Sequence, residues 1–135
     1  MSLESNKQIV QEFFRQFENA DVGAALDCLT DDVQWLAMGV KGDLPISGEM
    51  DKDGIGNLIQ LVDQTFPEGL KLTFKTLTAE EDRVAAEVVS YGEKANGTVY
   101  NNLYHYLFKV KNGKVSLVKE YFDTIHVKAV FIDDK

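Results

Sequence analysis

Residues 98–127 read TVYNNLYHYLFKVKNGKVSLVKEYFDTIHV. Two runs dense in aromatic and β-branched residues flank Lys111-Asn112-Gly113-Lys114, and an Asn-Gly between such runs predicts a β-hairpin. The first run, Thr98–Val110, predicts one strand of thirteen residues, against a usual length of about 5–6. Both histidines, four of the five tyrosines, Asn101, Asn102, Glu120 and Asp123 lie within the quoted stretch. The hairpin is therefore the expected floor of any functional site.

Side chains alternate along a strand, so Tyr100, Asn102, Tyr104, Tyr106 and Phe108 share one face, and Asn101, Leu103, His105, Leu107 and Lys109 the other. What faces them depends on the turn. A two-residue loop, Asn112-Gly113, pairs Tyr104 with Tyr121, Asn102 with Asp123 and His105 with Glu120. A three-residue loop with Gly113 left-handed pairs Tyr104 with Glu120, Asn102 with Phe122 and Tyr106 with Val118. The two differ by one residue, which moves a whole strand's side chains to the opposite face.

The chain of 135 residues suits a single domain, and its 44% hydrophobic and 27% charged residues are ordinary for a globular protein. A net charge of −8 argues against nucleic acid and against an anionic membrane surface as partners. Cys28 is the one cysteine. It can form no intrachain disulfide, and its neighbours Ala24, Ala25, Leu26 and Leu29 predict a buried, inert thiol. No apolar leader or membrane-length run is visible, so a cytoplasmic protein is expected. No His, Asp or Glu cluster has metal-ligand spacing, so no metal is expected.

Upstream of the hairpin, Ser5-Asn6-Lys7-Gln8 fits a capping box with Ser5 as N-cap. Ile9, Val10, Phe13, Phe14 and Phe17 then recur at helical spacing. Asp21 can cap a second helix, Val22–Leu29, and Val33–Met38 reads as a strand. Gly39–Gly48 reads as a loop, and Lys52–Phe66 as a third helix with Ile55, Leu58, Ile59, Val62 and Phe66 on one face. Leu70–Leu77 and Arg83–Glu93 read as strands. The order predicts an α+β fold, with helices packed on one face of a curved antiparallel sheet.

Three N-terminal helices, the acidic lead-in Thr30-Asp31-Asp32-Val33-Gln34-Trp35, and a meander ending in Gly113-Lys114-Val115 and Glu120-Tyr121-Phe122-Asp123 resemble the NTF2-like superfamily. Within it the SnoaL-like and ketosteroid-isomerase-related branch is the best match, over Lys7 to Val127. The resemblance implies a cone whose sheet and helices enclose an apolar pocket, a homodimer, and a site open to many chemistries. It also favours the three-residue loop and implies that Gly39–Gly48 borders the pocket mouth. Leu103, Leu107, Leu117 and Tyr121 would form the outer face covered in the dimer.

The branch's own catalytic groups fall elsewhere. Ketosteroid isomerases resemble this chain in fold, but the position of their base corresponds to Ala37 and that of their helix-borne tyrosine to Phe13. Their strand-borne acid has no counterpart in Thr98–Val110. Limonene epoxide hydrolases resemble the C-terminal strand, where Glu120 takes the place of a pocket carboxylate. The stretch matching their arginine–aspartate pair is Val88-Val89-Ser90. SnoaL-type cyclases need only one carboxylate to move a proton.

Glu120, between apolar neighbours, is accordingly the expected catalytic acid/base, with Asp123 and His105 as alternatives. Asp123 also suits a cap or turn, and His105 a hydrogen-bonded structural residue. Trp35, Asn102, Tyr104, Tyr106, Phe122 and Ser90 are the expected substrate-binding residues, and Tyr91 and Tyr100 further candidates. The expected function is a cofactor-independent isomerase, cyclase, dehydratase or hydrolase acting on a mostly apolar small molecule. A non-catalytic binding module on the same fold is the alternative.

Overall fold

The computed structural model describes residues 2–40, 42–44 and 48–134. Helix α1, Leu3–Glu18, starts three residues earlier than the capping box predicted from Ser5. Ser2 is the N-cap, and Ser5 is its reciprocal partner at the third helical position. A serine at that position reaches back to the cap as a glutamine would, so the motif was displaced by one turn. The helix buries Val10, Phe13, Phe14 and Phe17. Asp21 caps α2, Val22–Asp27, and Asp51 caps α3, Lys52–Thr65, each through a side-chain oxygen that accepts a backbone N–H.

Strand β1, Leu29–Ala37, is followed by the short β2, Gly48–Met50, then by β3, Lys71–Glu80, and β4, Arg83–Glu93. The thirteen-residue strand expected from Thr98 is two strands, β5, Val99–Tyr100, and β6, Leu103–Lys111. Gly92 pairs with Tyr100 and Val89 with Leu103, so the register continues across the break. At the break the Asn102 side chain takes the hydrogen bonds of a missing neighbour, accepting from the N–H groups of Leu103 and Asp123.

The hairpin between β6 and β7, Lys114–Phe122, corrects both readings of the turn. Lys111 pairs with Lys114, leaving the two-residue loop Asn112-Gly113, both with positive φ (53° and 79°). That is the backbone of the favoured hairpin turn. A bulge then shifts the ladder between Val110↔Val115 and Lys109↔Leu117. Beyond it Phe108 faces Val118, Tyr106 faces Glu120 and Tyr104 faces Phe122. The extra residue, Ser116, undoes the one-residue slip of the shorter loop. Even-numbered residues of both strands therefore share the inner face, as the three-residue loop would have had it, but each partner is two residues further on.

The sheet runs β2-β1-β7-β6-β4-β3, with β5 on β4. It is mixed rather than wholly antiparallel, because β1 lies parallel to β7. A parallel neighbour needs a long connection, and everything between Ala37 and Lys114 serves as one. Helix α1 packs across β3 and β4 on the concave side. Phe13, Phe14, Trp35, Tyr106 and Phe108 form the aromatic centre of the core, with the Phe14 and Tyr106 rings 5.3 Å apart. Cys28 is buried beneath α2, and burial raises its thiol pKa.

After β7 the chain forms a helical turn, α4, Thr124–Val127, and a π-helical segment, Lys128–Asp133, neither of which was expected from the sequence. Asp123 caps α4, accepting the His126 N–H at 3.1 Å. Among the described residues no helix is long and apolar enough to cross a membrane.

Candidate active site

The concave face of the sheet, α3 and the C-terminal segment enclose a cavity of about 780 Å³. The strands supply Trp35 and Ala37 from β1, Tyr100, Tyr104 and Tyr106 from β5 and β6, and Glu120 and Phe122 from β7. Helix α3 lays the stripe Gly54, Asn57, Leu58, Leu61 and Thr65 along one side, and Phe131 and Ile132 close another. Of the chain around Gly39–Gly48, the flanking residues Ala37, Glu49 and Met50 line the cavity, while Lys41, Pro45, Ile46 and Ser47 lie outside the described residues.

Glu120 stands on the inner wall. Its Oε1 accepts the Trp35 indole N–H at 3.1 Å and its Oε2 the Tyr106 hydroxyl at 2.9 Å. The parallel pairing of β1 with β7 makes the first contact possible, since Trp35 is opposite Val118 and Ala37 opposite Glu120. The antiparallel pairing with β6 makes the second. Tyr104 and Asn102 do not hydrogen-bond to it; Tyr104 pairs with Tyr100, and Asn102 with Tyr100 and Asp123. Burial raises the Glu120 carboxyl from its ordinary 4.5 to about 7, and the two donors only partly oppose that rise. A carboxyl placed there holds comparable amounts of both protonation states at neutral pH. It can take a proton and return it.

Tyr106 is itself buried, and burial together with the Glu120 charge holds its phenol well above its ordinary pKa. It remains a hydrogen-bond donor throughout the physiological range. Tyr100 and Tyr104 share a hydrogen bond between their hydroxyls. Burial pushes Tyr100 up to about 12 and holds Tyr104 well above its usual value.

Four of the expected substrate-binding residues, Trp35, Tyr104, Tyr106 and Phe122, line the cavity with Glu120; Asn102 and Ser90 do not. Asn102 is buried behind the wall, donating to the Tyr100 hydroxyl and to the Asp123 carbonyl at 3.1 Å each. Ser90 Oγ accepts the Asn102 backbone N–H at 3.0 Å. These two residues brace the site from outside. Asp123 is exposed and occupied as the α4 cap. His105 is exposed on the outer face, opposite Tyr121 and beside Glu87, because odd positions of β6 point away from the cavity. Tyr91 is half exposed and hydrogen-bonded to Glu93. Among the described residues, no group of three or more His, Cys, Asp or Glu side chains is placed to hold a metal ion.

Lys94 and Phe131 were not anticipated. The Lys94 ammonium donates to the Val130 carbonyl, the Asp134 carbonyl and the Asp134 carboxylate at 2.8–3.0 Å, which engages all its hydrogens and leaves its stem to the cavity. It thereby pins the C-terminal wall. Only the spacing of Val127, Val130 and Phe131 hinted that this tail had a buried side.

The profile of the SnoaL-like domain matches residues 10–118. Among solved structures, Bal32a, from a soil-derived mobile gene cassette, is 18% identical, covering 96% of this chain and 98% of its own at a TM-score of 0.83. IdmH, a putative polyketide cyclase from Streptomyces antibioticus, is 17% identical over 92% and 96% of the two chains, at 0.77. An LEH-like epoxide hydrolase from M. tuberculosis is 15% identical over 98% and 92%, at 0.77. At such identities these likenesses concern the fold. No curated protein sequence matches significantly. The matched profile spans most of the chain, and the helix-covered curved sheet carries the same architecture: the chain belongs to the SnoaL-like domain family, on the NTF2-like fold.

Proposed function

We propose that this protein is a small, cofactor-independent acid/base enzyme of the SnoaL-like type. It isomerises, cyclises, dehydrates or hydrates a mostly apolar organic molecule. The observation that carries the reading is Glu120, a carboxyl lifted to about 7 on the wall of an aromatic cavity and held by Trp35 and Tyr106. A purely structural carboxylate is more stable when ionised and paired with a cation; this one faces two neutral donors. The cavity volume suits a molecule of drug-like size, and its walls are mostly hydrocarbon and aromatic. The cyclase and epoxide hydrolase descriptions of two fold neighbours support the same class of chemistry.

Glu120 takes a proton from the substrate and returns it at another atom or to the leaving oxygen. Trp35 and Tyr106 fix the carboxylate plane and limit its basicity. The decisive experiment is a screen of apolar ketones, epoxides and β-hydroxy ketones, followed by a pH profile for any compound turned over. The expected profile has a midpoint near 7, and Glu120→Gln removes turnover by about 10²–10⁴-fold. Full activity in that variant would overturn the reading.

A binding module without chemistry is the second reading. It is favoured by Ala37, Phe13 and the uncharged Val88-Val89-Ser90 at the positions where the related enzymes carry their groups. Tight ligand binding with no turnover of any compound would select it.

A further inference from the structure

The charges around the cavity do not balance. Glu120 faces it from β7, and Glu49 stands exposed at its rim on β2. Among the described residues the one cationic side chain in the wall is Lys94, whose hydrogens are spent on the Val130 carbonyl, the Asp134 carbonyl and the Asp134 carboxylate. Lys52 at the start of α3 and Lys128 on the C-terminal segment are likewise paired, with Asp31 and Asp133. Among the described residues no Lys, Arg or His forms an ion pair with Glu120.

The carboxyl has room for a further partner. An ionised carboxylate offers about four acceptor positions, and Trp35 and Tyr106 take two of those on Glu120. Burial has already stripped Glu120 of water, so a cation docking there gains its attraction without further desolvation of the carboxylate. The walls beside it are aromatic. The Trp35 and Tyr106 rings stand at 87° with centroids 6.2 Å apart, Tyr104 stacks on Tyr106 at 5.3 Å, and Phe122 lies next to Tyr104. Aromatic rings attract cations over their faces, and donating an N–H or O–H to a carboxylate makes those faces richer in electrons.

We propose that the cavity is a binding site for an apolar organic cation, an alkyl or aryl ammonium, whose charge lies against Glu120 and whose hydrocarbon packs on the aromatic walls. This goes beyond the acid/base reading of the same carboxyl. A bound cation holds Glu120 ionised and keeps it from passing on a proton, so such a ligand inhibits turnover instead of undergoing it. An apolar carboxylate of the same size is rejected, because its anion meets Glu120 with no free cation to receive it. Binding is also tied to protons, since Glu120, at about 7, is mostly protonated at pH 6 and must ionise to take the cation. The other ionisable groups lining the cavity are Glu49, Lys94 and Tyr100, Tyr104 and Tyr106, and burial keeps the three phenols protonated in this range. Ala37 of β1 and Phe14 and Phe17 of α1 add none.

The test uses benzyltrimethylammonium, which is charged at every pH, and neopentylbenzene, its neutral isostere. In calorimetry with protein titrated into each compound, the wild type at pH 8.5 should bind the cation about tenfold tighter or more. Its affinity for the cation should rise about tenfold from pH 6 to pH 8.5, as the ionised fraction of Glu120 climbs from about a tenth to nearly one; the neutral compound should show no such gain. At pH 6 each bound cation should release close to one proton, read from the dependence of the heat on the ionisation enthalpy of the buffer. Glu120→Gln should abolish both the preference and the release, and Glu49→Gln should keep both. The wild-type measurements need no variant to fold and no turnover, so the site stands or falls apart from the acid/base reading. Equal affinities for the two compounds at pH 8.5, no proton released at pH 6, or a preference that persists in folded Glu120→Gln or disappears in folded Glu49→Gln would overturn it.

Discussion

Glu120→Gln should stabilise the protein above neutral pH, although it removes the proposed acid/base. In the unfolded chain this carboxyl ionises near 4.5, and in the fold near 7. Below about 4.5 both states hold the proton, and Glu120 adds no pH dependence. Between those values the folded state holds a proton that the unfolded state has lost, so folding stability falls as pH rises. Above 7 the full deficit is present. At 1.36 kcal/mol per pH unit it amounts to about 3 kcal/mol. Glutamine never ionises, and it fits the same partners: its carbonyl accepts from Trp35 and its amide donates to the Tyr106 oxygen once that hydroxyl turns. Urea unfolding of both proteins at pH 4 and pH 8.5 isolates the effect, because every other carboxylate cancels in the difference. The variant's advantage should grow by about 3 kcal/mol between the two pH values. A difference constant to within about 0.5 kcal/mol would mean that Glu120 is not held in the environment described here.

Trp35→Phe removes one of the two donors that stabilise the ionised carboxylate. The Glu120 midpoint, read by carboxyl NMR titration, should move above 7, and a downward move would contradict the geometry. Asp123→Ala should lower stability by about 1 kcal/mol through loss of the α4 cap, with little effect on any turnover; a large loss of turnover at unchanged stability would transfer the catalytic role to Asp123. Asp134 is held down at about 2 by Lys94, so it contributes stability that is present above its unfolded pKa and lost as pH falls toward 2. Asp134→Asn should remove that part of the acid sensitivity in thermal melts, with loosening of residues 128–133 seen by hydrogen exchange. We also propose a homodimer through the outer sheet face, where Leu103 is 68% and Tyr121 43% exposed; sedimentation should show a dimer at micromolar concentration, and Leu103→Lys should shift it to monomer.

Residue patterning by itself determined much of this molecule. The helical spacing of Val10, Phe13, Phe14 and Phe17, the capping aspartate at 21, and the alternation from Leu103 to Lys111 each depend on neighbours a few residues away, and such signals survive in a linear chain. Asn112-Gly113 marked the hairpin for the same reason. What lay across each strand was another matter. The turn alone put Glu120 on the outer face, and the bulge at Ser116 returned it to the inner one; its trace in the sequence is the spacing of three between the buried Val115 and Val118. The break at Asn102 was hidden because an asparagine that supplies the hydrogen bonds of a missing neighbour looks like any other polar residue in a strand.

The partners of the candidate acid/base were least accessible of all. Trp35 is eighty-five residues from Glu120 in sequence and reaches it only because β1 lies parallel to β7. The tyrosine pair and the C-terminal wall likewise depend on β5, α4 and the π-helical segment closing around one cavity. The carboxyl itself was visible in the chain. Its raised pKa and its two neutral donors follow from burial and from contacts between distant segments, which only the folded arrangement brings together.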